Sequence, residues 1–225
     1  GGIEAPGHKL IGTSLGSGRV SDQLARVVGQ ADCIVDFSTA EATAPNARIA
    51  AQAGRPFVTG VTGLSDTALA VLRECAVRIP LVHAPNFSVG ISLLTRLVVE
   101  AARALGVDYD VEIVETHHRH KRDAPSGTAL RLLDAVKQVR DMTEMSGISD
   151  RGPHLPGIAS LRIGDVVGDH TVIFGGPGER LELTHRATSR QAFASGVLAA
   201  VRFVCNKKPG FYTIDQVLGW TRPAP

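Results

Sequence analysis

The sequence predicts an α/β fold: a doubly wound parallel sheet followed by an α+β region. Three observations predict it. Between residues 31 and 84, short apolar runs alternate with helical stretches across short links. After Ser88 the order changes, and three strand-like runs follow one another between 157 and 185. The chain then closes on two helical patterns, Ser189 to Cys205 and Thr213 to Leu218.

Each element has a local reason. Gly1-Gly2-Ile3-Glu4 reads as the end of a strand, and Pro6 to Gly18 as a Gly-rich loop with little periodicity. A loop of that length is either functional or mobile. Ala31 to Phe37 is an apolar run ending at Ser38-Thr39, the pattern of a buried strand. Glu41 to Ala53 is Ala-rich and stops at Gly54, a helix terminator. Pro56 to Val61 is a second strand, punctuated by Thr62-Gly63, and Ser65 or Asp66 caps a helix reaching about Val77. Pro80 to Ala84 is a third strand, closed by Pro85-Asn86. Open parallel sheets bind ligands at the carboxyl ends of their strands, here Ser38-Thr39, Gly60-Val61-Thr62 and Ala84-Pro85-Asn86-Phe87.

Beyond Ser88, Leu94, Leu97, Val98, Ala101 and Leu105 share one face of a helix over Val89 to Leu105. Tyr109 to Thr116 alternates as a strand. A helix is expected from Ser126 to Val139, and a polar, mobile loop from Met142 to Leu155. Gly157 to Ile163, His170 to Phe174 and Arg180 to His185 read as strands, the last two joined by the turn Gly175-Gly176-Pro177-Gly178. Successive strands with tight turns predict a mixed or antiparallel sheet.

Composition removes several function classes. The chain has 225 residues, 44% of them hydrophobic, enough to bury a core. No apolar run approaches the roughly 18 uncharged residues of a membrane span, so no membrane partner is expected. A net charge of +2 and an aromatic content of 4% argue against a nucleic-acid partner. Cys33, Cys75 and Cys205 are odd in number and far apart. That argues against a disulfide scaffold and suits a reducing, cytoplasmic location. Gly1 to Pro6 shows no secretory leader pattern.

The chemistry concentrates in residues 115 to 128. Three of the eight histidines, His117, His118 and His120, fall within four positions, beside Arg119, Lys121 and Arg122. Cations after a strand attract an anion, and a histidine or lysine there can donate a proton. Pro125-Ser126-Gly127-Thr128 opens a helix, whose amide and hydroxyl groups bind carboxylate or phosphate. A solvated basic turn or an ordinary helix cap would account for either half alone, less readily for both side by side. Zinc at His117, His118 and His120 is disfavoured, because strand neighbours 117 and 118 point to opposite faces and no Cys or carboxylate sits at ligand spacing. No metal is expected.

The run Glu115-Thr116-His117-His118-Arg119-His120-Lys121, continued by Asp123-Ala124-Pro125-Ser126-Gly127-Thr128-Ala129, resembles the signature of the dihydrodipicolinate reductase family of bacterial lysine and diaminopimelate synthesis. Val35-Asp36-Phe37-Ser38, Gly60-Val61-Thr62-Gly63, Ala84 to Gly90, Arg162 to Gly168 and Glu179 to His185 extend the resemblance over nearly the whole chain. It implies a Rossmann-like dinucleotide-binding domain, residues 1–88 and 190–225, into which an α+β substrate-binding and tetramerisation domain, residues 89–189, is inserted. It implies reduction of a cyclic dicarboxylate by NADH, NADPH or both, with loss of water, in a homotetramer. His117 matches the acid–base histidine and Lys121 the proton-donating lysine. His118 matches a substrate-contacting histidine, and Gly127 and Thr128 match the residues that hold a substrate carboxylate. Gly60, Val61, Thr62, Ala84, Pro85, Asn86 and Phe87 match positions lining the nicotinamide side. Glu4 matches the acid that accepts hydrogen bonds from the adenosine ribose.

There are departures. The family's first strand, Gly-rich phosphate turn and following helix have no counterpart here, as expected of a chain missing roughly 30 residues of a dinucleotide unit. Ala5 stands where an arginine often meets a 2′-phosphate, which leans toward NADH, with Lys9 or His8 as substitutes. A non-catalytic relative that keeps only the anion pocket is the alternative reading.

Overall fold

The computed structural model describes residues 1–140 and 156–220. The loop expected between Met142 and Leu155 lies outside the described residues. The chain divides into two compact units, one of residues 1–85 and 197–225, the other of residues 86–196.

In the first unit a parallel sheet is built from β4 (Ile34–Asp36), β5 (Phe57–Thr59), β6 (Pro80–His83) and β11 (Gly210–Tyr212), in the order β11-β6-β5-β4. Helices α2 (Ala40–Gln52) and α3 (Asp66–Ala76) connect the first three strands, which is what parallel pairing requires. The core is small and tight. Ala47 and Ala50 of α2 and Leu72 and Cys75 of α3 close on Phe57 and Leu81 of the sheet. The alanine-rich face of α2 lets that helix sit near the strands. Ser65 caps α3, its Oγ accepting from the Ala68 amide at 3.2 Å.

Two features depart from the sequence reading. The expected loop between Pro6 and Gly18 contains a small sheet: β2 (Ser14–Leu15) and β3 (Gly18–Ser21) form a hairpin, and β1 (Gly2–Ile3) lies parallel to β3. Two-residue strands leave no alternation to read, and Gly16, at φ +59°, supplies the left-handed turn between them. The fourth parallel strand, β11, follows Lys207-Lys208-Pro209 and is three residues long, below the length at which periodicity speaks. Between β3 and β4 lies a single helical turn, α1 (Leu24–Val27).

The second unit is an α+β layer. Its mixed sheet has the order β10-β9-β7-β8, from β7 (Asp110–His117), β8 (Gly157–Arg162), β9 (Gly168–Gly176) and β10 (Glu179–Ala187). β7 runs parallel to β8 and antiparallel to β9. Helices α4 (Val89–Leu105) and α5 (Gly127–Lys137) cover one face, where Val98 and Leu132 pack on Val111, Ile113, Val172 and Phe174. On the other face Val114, Thr116 and Ile173 are half-buried and Leu161 is exposed. Helix α6 (Gln191–Val204) follows the sheet, and its residues from 197 on belong to the first unit, as does α7 (Ile214–Val217), a short helix opened by a Thr213–Gln216 capping box.

Gly196 lies inside α6, where alanine would ordinarily stabilise a helix by about 0.8–1 kcal/mol. Here a Cβ would fall well inside contact distance of the Phe87 carbonyl oxygen, a backbone atom that cannot swing aside. Gly196→Ala is therefore expected to destabilise, by about 1–3 kcal/mol, the range of overpacked sites. Urea unfolding measures it, and a midpoint at or above that of the parent chain would contradict the close approach.

Candidate active site

Strand alternation decides which side chains of β7 meet. Val111, Ile113, Glu115 and His117 take its buried positions. The first two enter the apolar core. The next two carry the same face past the core's end, where the Glu115 carboxylate, fully buried, takes a short hydrogen bond from His117 Nδ1 through Oε2. Register supplies the rest. His170 of β9 stands opposite Glu115, and Arg162 of β8 opposite His117. Arg162 Nη2 donates to Glu115 Oε1 at 2.9 Å and to the Asp123 carbonyl at 2.6 Å. The Ser126 amide donates to the same Oε1 at 3.3 Å, so the start of α5 is tied to the strand. Ser126 Oγ accepts from the Ala129 amide and lies 3.2 Å from His170 Nε2.

The charges follow from these contacts. Burial works against ionising Glu115, but hydrogen bonds from Arg162, Ser160 and His117 outweigh it and hold its carboxyl below the usual range. Burial likewise lowers His117, against the pull of Glu115 toward the charged ring. His170 is pushed down to about 4, by burial first and by neighbouring His117 next. Its Nδ1 is buried without a hydrogen-bond partner among the described residues. His170 is therefore a neutral ring at ordinary pH, and it meets His117 edge to face with centroids 5.1 Å apart. Lys121 Nζ pairs with Asp123 at 2.8 Å, and that hydrogen bond keeps the Asp123 carboxyl low.

Glu115, His117 and His170 bring ligand-type atoms within 4.8 Å of one another. Glu115 is already shared between a guanidinium and an imidazole, so the cluster reads as a hydrogen-bond network and no ion is assigned to it. His117 is buried at the last position of β7, and His118 follows just outside the strand. His118 lines an open hollow of about 800 Å³ with Arg119, His120, Gly164, Asp165, Val167 and Arg190. Three of these are arginine or histidine neighbours of His118, and the one acid is Asp165, so the hollow suits an anion.

The sequence-predicted residues fall into groups. His117, Lys121, Gly127 and Thr128 belong to the network around Glu115 or to the helix start it anchors. Thr128 Oγ1 accepts from Asn86 Nδ2 at 3.1 Å, and Asn86 Oδ1 takes the Ser88 amide, so Asn86 is a local brace. Phe87 is buried, at 2% exposure, and presents no ring to a ligand. In the first unit Gly60, Val61 and Thr62 follow β5, and Ala84 and Pro85 follow β6. The Gly60 amide donates to the Asp36 carbonyl, Val61 to Thr59 Oγ1 and Ala84 to the Thr59 carbonyl. Val61 and Ala84 are buried, so they can offer a ligand backbone groups only, whereas Thr62 and Pro85 are exposed. Glu4 follows β1, its carboxylate 3.9 Å from His8. Arg162, His170 and the hub role of Glu115 were not foreseen. Glu115 was detectable, two positions from His117 on one strand; the other two depend on register.

A parallel sheet with helical crossovers, followed by a mixed-sheet unit that carries a histidine network, is a Rossmann-like two-unit architecture. Comparison with known proteins narrows it. The family model described as dihydrodipicolinate reductase, N-terminus, matches residues 2–87, and that described as dihydrodipicolinate reductase, C-terminus, matches residues 90–218. A 4-hydroxy-tetrahydrodipicolinate reductase of Halorhodospira halophila is 45% identical over 96% of this chain and 82% of its own length. One of Myxococcus xanthus is 43% identical over 99% and 88%. The solved structure of a dipicolinate-bound dihydrodipicolinate reductase from Paenisporosarcina sp. TG-14 superposes with a TM-score of 0.71 at 26% identity, covering 86% of this chain and 77% of that one. The chain belongs to the dihydrodipicolinate reductase family.

The depressed histidine has a consequence for stability. As pH falls, the unfolded chain protonates His170 near 6.5 and the folded chain only near 4. Stability from this residue is therefore complete above about pH 6.5 and drains away between 6.5 and 4, by on the order of 3 kcal/mol. The other lowered histidines, His83, His117 and His185, act in the same direction. Denaturant unfolding at pH 7.5 and 4.5 should show a smaller loss for His170→Gln than for the parent; equal losses would contradict the buried neutral ring.

Proposed function

We propose that this chain reduces 4-hydroxy-tetrahydrodipicolinate to tetrahydrodipicolinate in lysine and diaminopimelate biosynthesis, with NADH or NADPH as the reductant. The observation that carries the reading is the anchoring of His117 and the start of α5 to one buried carboxylate, beside a hollow lined by His118, Arg119, His120 and Arg190. A cyclic dicarboxylate needs both features: fixed donors for its carboxylates and a proton source near its ring.

Gly127 and Thr128 open α5, so their amides belong to the turn whose N–H groups lack partners within the helix. They hold one carboxylate, aided by the Thr128 hydroxyl, which accepts from Asn86 and keeps its own proton to donate. His118 contacts the substrate from the hollow. His117 serves as acid and base, and Lys121, steadied by Asp123, donates the proton that the reduced ring requires. A bound nicotinamide supplies the hydride. Gly60, Val61, Thr62, Ala84 and Pro85 would hold it through backbone groups at the carboxyl ends of β5 and β6, with Asn86 and Phe87 continuing that segment and Glu4 taking the ribose. The loop after β5 is tightly packed: a Cβ at Gly60 would collide with the Phe37 ring, so glycine is what lets that ring lie against the backbone there. A homotetramer is supported by the sheet face bearing Val114, Thr116, Leu161 and Ile173, which no helix covers among the described residues.

Oxidation of NADH and of NADPH tests the reaction, with substrate made in place from pyruvate and aspartate semialdehyde by the preceding synthase. Substrate-dependent oxidation is expected, and none at all would favour a binding protein that keeps the anion pocket. Lys121→Ala should lower kcat by about 10²–10⁴-fold. A folded Lys121→Ala protein at full rate would remove that residue's role. Light scattering on the eluting protein should give four chain masses, and one chain mass would overturn the tetramer.

A further inference from the structure

We infer that Glu115 is the positioning residue of the site: it fixes the His117 ring with Nδ1 protonated and turned inward, so that Nε2 is the atom that exchanges a proton with substrate. This rests on the reading of His117 as the acid–base group.

The geometry allows one ring orientation. Nδ1 is committed to Glu115 Oε2. Nε2 lies against Gly168, where a Cβ would come within 3.0 Å of it, so the glycine lets the ring keep this position, with 10% of the side chain still exposed. Glu115 itself cannot drift. Its Oε1 is held by Arg162 of β8 and by the amide of Ser126, and its backbone by the β7 ladder. A carboxylate ionised and held on three sides accepts from N–H and has no proton to give, which selects the Nδ1–H form of the ring. The groups facing His117 are Glu115 on its own strand, Arg162 from β8, His170 from β9 and Lys121 from the following loop. Of these only Glu115 is anionic and only it favours the imidazolium. Arg162 and Lys121 oppose it, and neutral His170 adds little charge. Glu115 thus both orients the ring and keeps it able to act as an acid.

Glu115→Gln keeps the volume and an acceptor but removes the charge. kcat is expected to fall on the order of 10²-fold. The alkaline limb of the kcat/KM profile should move to lower pH by about one unit or more, because the uncompensated ring gives up its proton sooner. In a double-mutant cycle, Glu115→Gln with His117→Asn should be no slower than His117→Asn alone, since Glu115 acts through that ring. A merely structural role would leave the pH limb in place and make the two losses multiply, and that result overturns the inference. A fully active His117→Asn protein would instead overturn the functional reading of His117, and the inference with it. Should Glu115→Gln fail to fold, ¹⁵N-histidine NMR of the parent chain decides. Nδ1 of His117 staying protonated while Nε2 titrates is the expected result; the reverse order overturns it.

Discussion

One buried negative charge organises the second unit. Moving a carboxylate out of water costs several kcal/mol even after relaxation, unless donors replace the water. Glu115 has no exposed surface, and its donors come from three directions: a histidine two residues along its own strand, an arginine across the ladder, and the amide of a helix cap. The segment from His118 to Pro125, otherwise an exposed basic loop, is drawn in because both of its ends and Asp123 answer to that carboxylate, directly or through Arg162. Removing any one donor leaves a charge partly unpaid, so the arrangement is all or nothing in character.

The same constraint sorts the histidines. Those drawn to the covered face, His117 and His170, sit 5.1 Å apart and could not both be charged at low cost. Burial first and the neighbouring His117 next leave His170 neutral, while Glu115 supports the charged form of His117. Those on the other side, His118 and His120, stay with Arg119 and Arg190 around the hollow. The buried end of β7 and the loop beyond it thus give the histidines of one short run of sequence different surroundings.

Much of this was legible in advance. The alternation of strands and helices from Ala31 to Ala84 announced the parallel sheet, because each apolar run was bounded by its own stop. The helix from Val89 to Leu105 was readable to the residue, since its apolar spacing is regular and Ser88 caps it. The strands β2, β3 and β11 were not, being two to four residues long and held by neighbours rather than by their own pattern. In the site, the histidine cluster and the Ser126 cap were visible as local chemistry. Asn86 and Phe87 match cofactor-side positions of the family by their place after a strand end, while the Asn86 hydrogen bond to Thr128 and the burial of Phe87 depend on the tertiary structure.

By itself, the sequence determined the longer elements, the family and the short segment that gathers the histidines, because periodicity, caps and motif spacing are local properties. Only the tertiary structure decided that Glu115 is the hub. Arg162 stands 47 residues from it and His170 55 residues from it along the chain. What brings them together is strand register, set by the fit of Val111, Ile113, Val172 and Phe174 in the core. A shift of one residue would turn Glu115 and His117 to the opposite face, and the buried charge would lose its partners.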